Sequence, residues 1–365
     1  MEGGGVLRQF IATYNVTSTT STTRILGSGF PTSQVKEMYI DGVQQDTIAS
    51  EYTFNTTGEH TVKCIMNDDL SSCYKLFEKC SGLTSLDLSN FNTSKVTDMT
   101  YMFNYCYVLT SLDLSNFDTS NVTDMNHMFG DCRNLTSVTF GDNFDTSNVT
   151  DMGNMFDNCR GLTSLDLSNF NTSAVTSMVG MFSGCTQLTS IDLSNFNTSA
   201  VTDMSHMFNN CGSLTSLDLS NFDTSKVINM SNMFYSCRGL TSLDLSNFDT
   251  SNVGYMYYMF SGCSGLTSLD LSNFDTSKVT NMGYMFSGCS RLTSVTFGLQ
   301  ADVGKVTSYS NMFYGITTTG TLYYPSAYAT AWNKLLVTYQ SSTRFPSTWT
   351  SVPIDYENGE TVPTV

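Results

Sequence analysis

The chain has 365 residues and a formal net charge of −16, from 16 basic against 32 acidic side chains. That balance excludes non-specific binding to nucleic acid or anionic membranes, since both need basic surface. No apolar run of about 18 residues is present to cross a bilayer, and Met1-Glu2-Gly3-Gly4-Gly5 has neither the basic nor the apolar stretch of a secretory leader.

Residues 1–66 read as a small all-β, sandwich-like domain. Phe10, Ala12, Tyr14 and Val16 alternate, Asp41-Gly42 is a hairpin turn, and Val62, Cys64 and Met66 alternate again. Residues 67–82 form a degenerate rung, in which Leu70, Cys73, Leu76 and Phe77 match Val96, Met99, Met102 and Phe103 of the next.

From there the string L-T-S-[LIV]-[DT]-[LF] begins at Leu83, Leu109, Leu135, Leu162, Leu188, Leu214, Leu240, Leu266 and Leu292. The starts are 26 residues apart, with one step of 27 after Leu135 where Gly141 and Asp142 take up an extra residue. Nine such repeats specify a solenoid, because one rung cannot bury its own apolar face and a stack can. In each, Leu86 and Leu88 alternate with Ser85 and Asp87 like a half-buried strand. Val96, Met99, Met102 and Phe103 follow a helical period, with Thr97 or Asp98 placed to cap it. The expected fold over residues 67–315 is therefore an α/β leucine-rich-repeat solenoid, with a parallel sheet on one face and short helices on the other. Residues 316–365 should close it with a strand at Thr321–Pro325, a helix near Ser326–Leu336 and an extended tail from about Thr348.

Three constant columns have a structural reading. Asn90, Asn116, Asn143, Asn169, Asn195, Asn221, Asn247 and Asn273 should bond backbone groups at the bend. The Met and Phe columns are core. Nine of eleven cysteines form a column from Cys80 to Cys289 without any C-x-x-C pair, which reads as buried free thiols. Cys64 and Cys73 stand outside it, free to pair with each other.

Two sets of residues are left over. Asp87, Asp113, Asp166, Asp192, Asp218, Asp244 and Asp270 should line the exposed sheet face, interrupted by Thr139 and closed by Thr296. Carboxylates about 5 Å apart repel by roughly 1 kcal/mol even in water. The line reads either as a strip for cations, calcium foremost, or a basic ligand, or as repeat duplication with hydrated counter-ions. The second set varies between repeats and precedes each Met-Phe pair; Tyr101, His127, His206, Tyr257, Tyr258 and Tyr284 give it the character of a recognition face. Catalysis, including a carbohydrate-active enzyme built on the solenoid, has little support. His127 and His206 share a repeat position three rungs apart, His60 has no evident partner, and no glycine-rich phosphate loop follows a strand.

The pattern C-x-x-L-x-x-L-x-L…V-x-x-M-x-x-M-F, as in Cys80 to Phe103, with S-N-F-[DN]-T-S-x-V-T-[DN]-M, resembles the BspA-like leucine-rich-repeat surface proteins. The likeness is to their long-repeat branch, known from mycoplasma lipoproteins and gut bacteria. It implies non-enzymatic adhesion to a host or microbial surface protein or glycan, an extracellular place, and no nucleic acid or membrane insertion. No lipobox or wall anchor is read in this sequence, so either a leader has been removed or a second expectation holds: display on a phage particle, or a fibre or decoration protein of the virion, with the solenoid as spacer and the first 66 residues docking to virion proteins.

Overall fold

The computed structural model describes residues 8–317, 319–340, 345–346 and 348–356. They fall into two compact units, Met1–Ala174 and Val175–Val365, and each is a repeat solenoid of stacked rungs. No described helix is long and apolar enough to cross a membrane.

The first unit opens with β1 (Gln9–Val16), β2 (Thr23–Arg24), β3 (Val35–Ile40), β4 (Val43–Gln44), β5 (Glu51–Tyr52) and β6 (Gly58–Met66). Asp41 and Gly42 both have positive φ, as a tight hairpin turn between β3 and β4 requires. The sheet runs in the order β4-β3-β6-β1-β7, where β7 (Leu83–Asp87) already belongs to the first full rung and pairs antiparallel with β1. Phe10 of β1 packs edge-on against Phe77 (4.9 Å) and Phe91 (5.8 Å), so the N-terminal strands cover the open end of the rung core. Cys64 and Cys73 are buried free thiols, not a disulfide.

Strand ladders between the leucine segments are local, which corrects the expectation of a continuous sheet there. Single parallel bridges nevertheless join successive rungs in each unit, at the column of Asp98, Asp124 and Asp151 and of Asp203, Asn229 and Tyr255. In the first unit β8 (Ser111–Leu114) pairs with β9 (Ser137–Phe140). In the second, β10 (Ser268–Leu271), β11 (Ser294–Phe297), β12 (Gly320–Pro325) and β13 (Trp349–Ile354) form one parallel sheet. The equivalent segments 162–167, 188–193, 214–219 and 240–245 contain no strand. The reason lies in the outward side chains. Both repeat-to-repeat ladders set Asp against Thr, Asp113 beside Thr139 and Asp270 beside Thr296. The β-branched and aromatic Val-Thr-Phe segments favour a pleated surface where Asp does not.

The expected helices on the other face are also corrected: the only α-helix among the described residues is α1 (Ala329–Gln340). The Met-Phe stretch is instead a chain of turns. Leu76, Glu78 and Cys80 N–H groups donate to the carbonyls of Cys73, Lys75 and Phe77, closing successive turns at 3.0–3.1 Å. The intervening N–H groups of Cys73, Lys75, Phe77 and Lys79 donate across to Asp98, Thr100, Met102 and Asn104 carbonyls of the next rung, at 2.7–3.0 Å. A helix would spend all of these donors within itself. Two left-handed residues per rung, such as Tyr101 (φ 58°) and Tyr105 (φ 63°), complete the exclusion.

Inside the turns, phenylalanines stack face to face from rung to rung, as in Phe77–Phe103 (5.6 Å, 8°) and Phe208–Phe234 (6.0 Å, 4°). The cysteine column beside them is buried and free as expected, and the Sγ–H groups have a further task. Cys106 donates to the Phe77 carbonyl (3.3 Å) and Cys263 to that of Phe234 (2.9 Å). Burial pushes the Cys132 and Cys237 thiols up to about 12, which leaves them inert as nucleophiles.

At the C-terminal end β12, the turn Ser326–Tyr328 and α1 follow the predicted order. The extended tail expected from about Thr348 begins with β13, paired in parallel register with β12 from Gly320↔Trp349 to Pro325↔Ile354. Residues 357–365 of that expected tail lie outside the described residues.

Candidate functional site

The seven aspartates of the predicted line are all exposed. Asp87, Asp113 and Asp166 belong to the first unit; Asp192, Asp218, Asp244 and Asp270 belong to the second. Each carboxylate has a local duty that the sequence reading missed. Its Oδ1 accepts the N–H of the serine two residues on, from Ser115 to Asp113 (2.9 Å) to Ser272 to Asp270 (2.9 Å), which closes the corner after the strand segment. Two more corners of each rung are built the same way. Asn92, Asp118 and Asp145 accept from the serine two residues on, and Asp98, Asp124 and Asp151 from Thr100, Asn126 and Gly153. Among the described residues, no three His, Cys, Asp or Glu side chains are placed to share a metal ion.

These bonds set the electrostatics of the line. The Ser89 hydroxyl and N–H hold Asp87 below the usual carboxylate range, and the Ser194, Ser220 and Ser246 N–H groups do the same for Asp192, Asp218 and Asp244. Charges on Asp192 and Asp244 push Asp218 partly back. A carboxylate whose folded pKa is depressed adds stability above its unfolded value, near 3.9, and loses it as pH falls through the folded one. Thermal stability is therefore expected to fall below about pH 4. Asp218→Asn should flatten that fall at a small cost in stability at pH 7, because an asparagine oxygen takes the same N–H without the charge that strengthens the bond. Melting curves at pH 7 and pH 3 check both statements, and identical acid limbs for the two proteins would refute them.

The second predicted set lies elsewhere than on helices. Tyr101, His127, His206, Tyr258 and Tyr284 occupy the left-handed position of the turn chain, with φ between 54° and 61°. The rest of that column is Lys75, Asn154, Gly180, Asn232 and Asn311, a mixture containing no β-branched residue, as positive φ demands. Tyr257 precedes the column by one residue. In the first unit Tyr101 stacks on His127 (4.7 Å, 20°), and Lys75 Nζ lies over the Tyr74 and Tyr101 rings at 5.2 and 5.3 Å. Burial lowers the His127 pKa, against the pull of Asp157, Asp151 and Asp131. In the second unit Tyr258 stacks on Tyr284 (4.5 Å, 15°), while Tyr257 meets both edge-on at 4.1 and 6.1 Å. His206 is exposed, its Nδ1 accepting from Asn209 Nδ2 at 3.0 Å.

His60 does have partners. Its Nδ1 meets Asp41 Oδ2 at 2.7 Å and its Nε2 meets the Thr56 carbonyl at 3.0 Å, so it ties the hairpin turn to the loop before β6. Asp41 stays below the usual range despite the opposing effect of desolvation, because His60 and the Thr61 N–H hold its charge.

The asparagine column bonds backbone as expected at Asn116, Asn169, Asn221, Asn247 and Asn273, while Asn90 donates to the Ser89 hydroxyl. Asn221 Nδ2 donates to the Leu193 and Phe196 carbonyls at 2.9 and 2.7 Å, and Asn247 and Asn273 repeat the bond one rung on each. A buried threonine column went unread. Thr224 Oγ1 donates to the Asp249 carbonyl (2.9 Å) and accepts the Asp249 N–H (2.8 Å). Two shallow clefts of about 410 and 390 Å³ were also unforeseen, and share Asp142 and Asn169 beside the extra residue of the 27-residue step. That step was the signal available for them.

A family model described as "Mycoplasma protein of unknown function, DUF285" matches residues 71–139, 136–238 and 212–322. No curated protein matches the chain. A solved structure, a leucine rich cell surface protein from Faecalibacterium prausnitzii A2-165, is similar over 61% of this chain and 75% of its own, at 16% identity and a TM-score of 0.25.

Proposed function

The chain belongs to this family of mycoplasma repeat proteins, DUF285, and from that footing we propose that it is a non-enzymatic ligand-binding protein displayed at a bacterial surface. The observation that carries the reading is the division of labour among the columns. Leu, Met, Phe and Cys fill the core, Asn and Thr bond one rung to the next, and three Asp/Asn columns close the corners. Those positions hold nearly the same residue throughout. Variation gathers at the left-handed corner, where tyrosine and histidine stand half-exposed or exposed on a fixed backbone. A rigid scaffold carrying a variable, aromatic-rich face is the arrangement by which recognition proteins hold affinity at low entropy cost. Surface placement rests on the repeat motif's resemblance to BspA-like proteins. The partner class is a host or microbial surface protein or glycan.

The test joins location with binding. Protease shaving of intact source cells should remove the protein, and arrays of glycans and host surface proteins should yield a ligand. No ligand on either array, with the protein found only inside cells or in virions, would sink the proposal.

A further inference from the structure

The repeat is regular enough that its departures from itself are informative, and in the second unit they cluster. The residue after each core valine is threonine at 97, 123, 150, 176, 202, 280 and 307, but Ile228 and Gly254 replace it in two consecutive rungs. The next position is Asp, Asn or Ser in the other repeats and Tyr255 here. Ile228 is 53% exposed and Tyr255 52%, against the general rule that this chain buries its large apolar side chains. Backbone pairing places Asn229, Tyr255 and Asn281 side by side in successive rungs. Two residues on from Tyr255 stands Tyr257, and three on from Tyr255 and Asn281 stand Tyr258 and Tyr284, already packed into the perpendicular arrangement described above. Gly283 makes room for this: an added Cβ would lie 3.2 Å from the Tyr257 ring. The aromatic corner is therefore preformed, with its rings held by one another.

We infer that this corner of the second unit, formed by Ile228, Tyr255, Tyr257, Tyr258 and Tyr284, binds an extended neutral polysaccharide, an inference that rests on the ligand-binding reading above. Three features select the ligand. Tyrosine rings offer flat apolar faces to the C–H faces of sugar rings and hydroxyls to their edges, and held rings lose little entropy on binding. Rungs about 4.8 Å apart present aromatic surface at a spacing close to the residue repeat of an extended pyranose chain. Charge decides the rest. The column that carries Asp98, Asp124 and Asp151 in the first unit reads Asp203, Asn229, Tyr255, Asn281 and Ser308 here, so the rungs flanking Tyr255 carry no carboxylate in it. The nearest, Asp203, lies two rungs away with Oδ2 accepting from Asn229 Nδ2, while a net charge of −16 repels anionic polymers.

The test uses the full chain and a variant that restores the repeat's own residues, Ile228→Thr, Gly254→Thr and Tyr255→Asn, which should fold because other rungs carry them. A second variant, Tyr257→Ser, takes the residue found at 205 and 231. In affinity electrophoresis the parent protein should be retarded by at least one of mannan, mixed-linkage β-glucan and arabinoxylan, and not by heparin or polygalacturonate. Both variants should melt as the parent does and bind on the order of tenfold more weakly or worse. Retardation that the variants retain, or equal retardation by the anionic polymers, overturns the inference. If no polysaccharide binds but a protein on the host array does, the saccharide assignment falls and the ligand-binding reading stands. If neither binds, both fall.

Discussion

Replacing Gly298 by alanine should destabilise the second unit by about 1–3 kcal/mol, the range for forcing extra atoms into a packed site. At roughly 2–4 °C per kcal/mol for a unit of this size, the melting temperature should drop by several degrees. A Cβ at Gly298 would stand 1.8 Å from the Ser272 carbonyl oxygen of the rung before. Because the obstruction is backbone, no side-chain rotation relieves it. Either β11 moves away from β10 or the Phe297 ring leaves its contact with Trp332, 4.9 Å between centroids. Gly141 meets the same obstacle in the first unit, 1.9 Å from the Ser115 oxygen, and follows the same Val-Thr-Phe sequence. Gly141→Ala should therefore cost a similar amount. Gly254 supplies the control, since nothing lies within 3.9 Å of its added Cβ. There alanine restricts the unfolded chain without a clash and should be neutral or stabilising by up to about 1 kcal/mol. Thermal unfolding of the three variants decides the matter: equal melting temperatures for Gly298→Ala and Gly254→Ala would show that the close approach is not real.

How much of this was legible follows from what each residue type can report. The rung period, the core columns, the asparagine bonds and the free thiols were readable, because a side chain that recurs every 26 residues must repeat its environment. The helices were misread for a definite reason. Val96, Met99, Met102 and Phe103 are spaced alike for a helix and for consecutive turns, and only the backbone sign at Tyr101 and Tyr105 separates the two. A sequence signal for that sign did exist in the column Lys75, Tyr101, His127, Asn154, Gly180, His206, where Asn, His and Gly, which favour positive φ, recur and no valine, isoleucine or threonine occurs. Its variability drew the reading toward recognition and away from conformation. The aspartate line was read from its repulsion alone, although Asp87 and Ser89 already spell a side-chain-closed turn. Thr139 and Thr296, which interrupt and close the charged line, are the places where the repeat-to-repeat ladders form. The candidate site is thus narrower than its sequence description. Histidines and tyrosines were gathered by repeat position; the structure packs Tyr101 with His127 in one unit and Tyr257, Tyr258 and Tyr284 in the other.

The largest single loss is expected at Trp332, whose removal uncaps the rung core. Its ring is fully buried, 4.9 Å from Phe297 and stacked on Tyr324 at 5.6 Å, and its Nε1–H donates to the Ala301 carbonyl at 3.0 Å. Trp→Ala at such a site costs about 3–5 kcal/mol, and the stranded carbonyl adds to it. Trp332→Phe keeps most of the apolar surface but not the hydrogen bond, so about 1 kcal/mol should go. The chain has 2 tryptophans, so in either variant Trp349 is the lone indole and reports on the cap. Its ring faces Phe313 and Phe345, and its Nε1–H donates to the Thr317 carbonyl at 2.9 Å. If α1 and β13 cover the core as one piece, Trp332→Ala should shift Trp349 emission to the red well below the main melting transition, together with dye binding to exposed phenylalanine. Trp332→Phe should leave that emission unshifted until global unfolding. A Trp332→Ala protein that melts within a degree or so of the parent, with Trp349 still blue-shifted, would mean that the rung core closes without its C-terminal helix and strands.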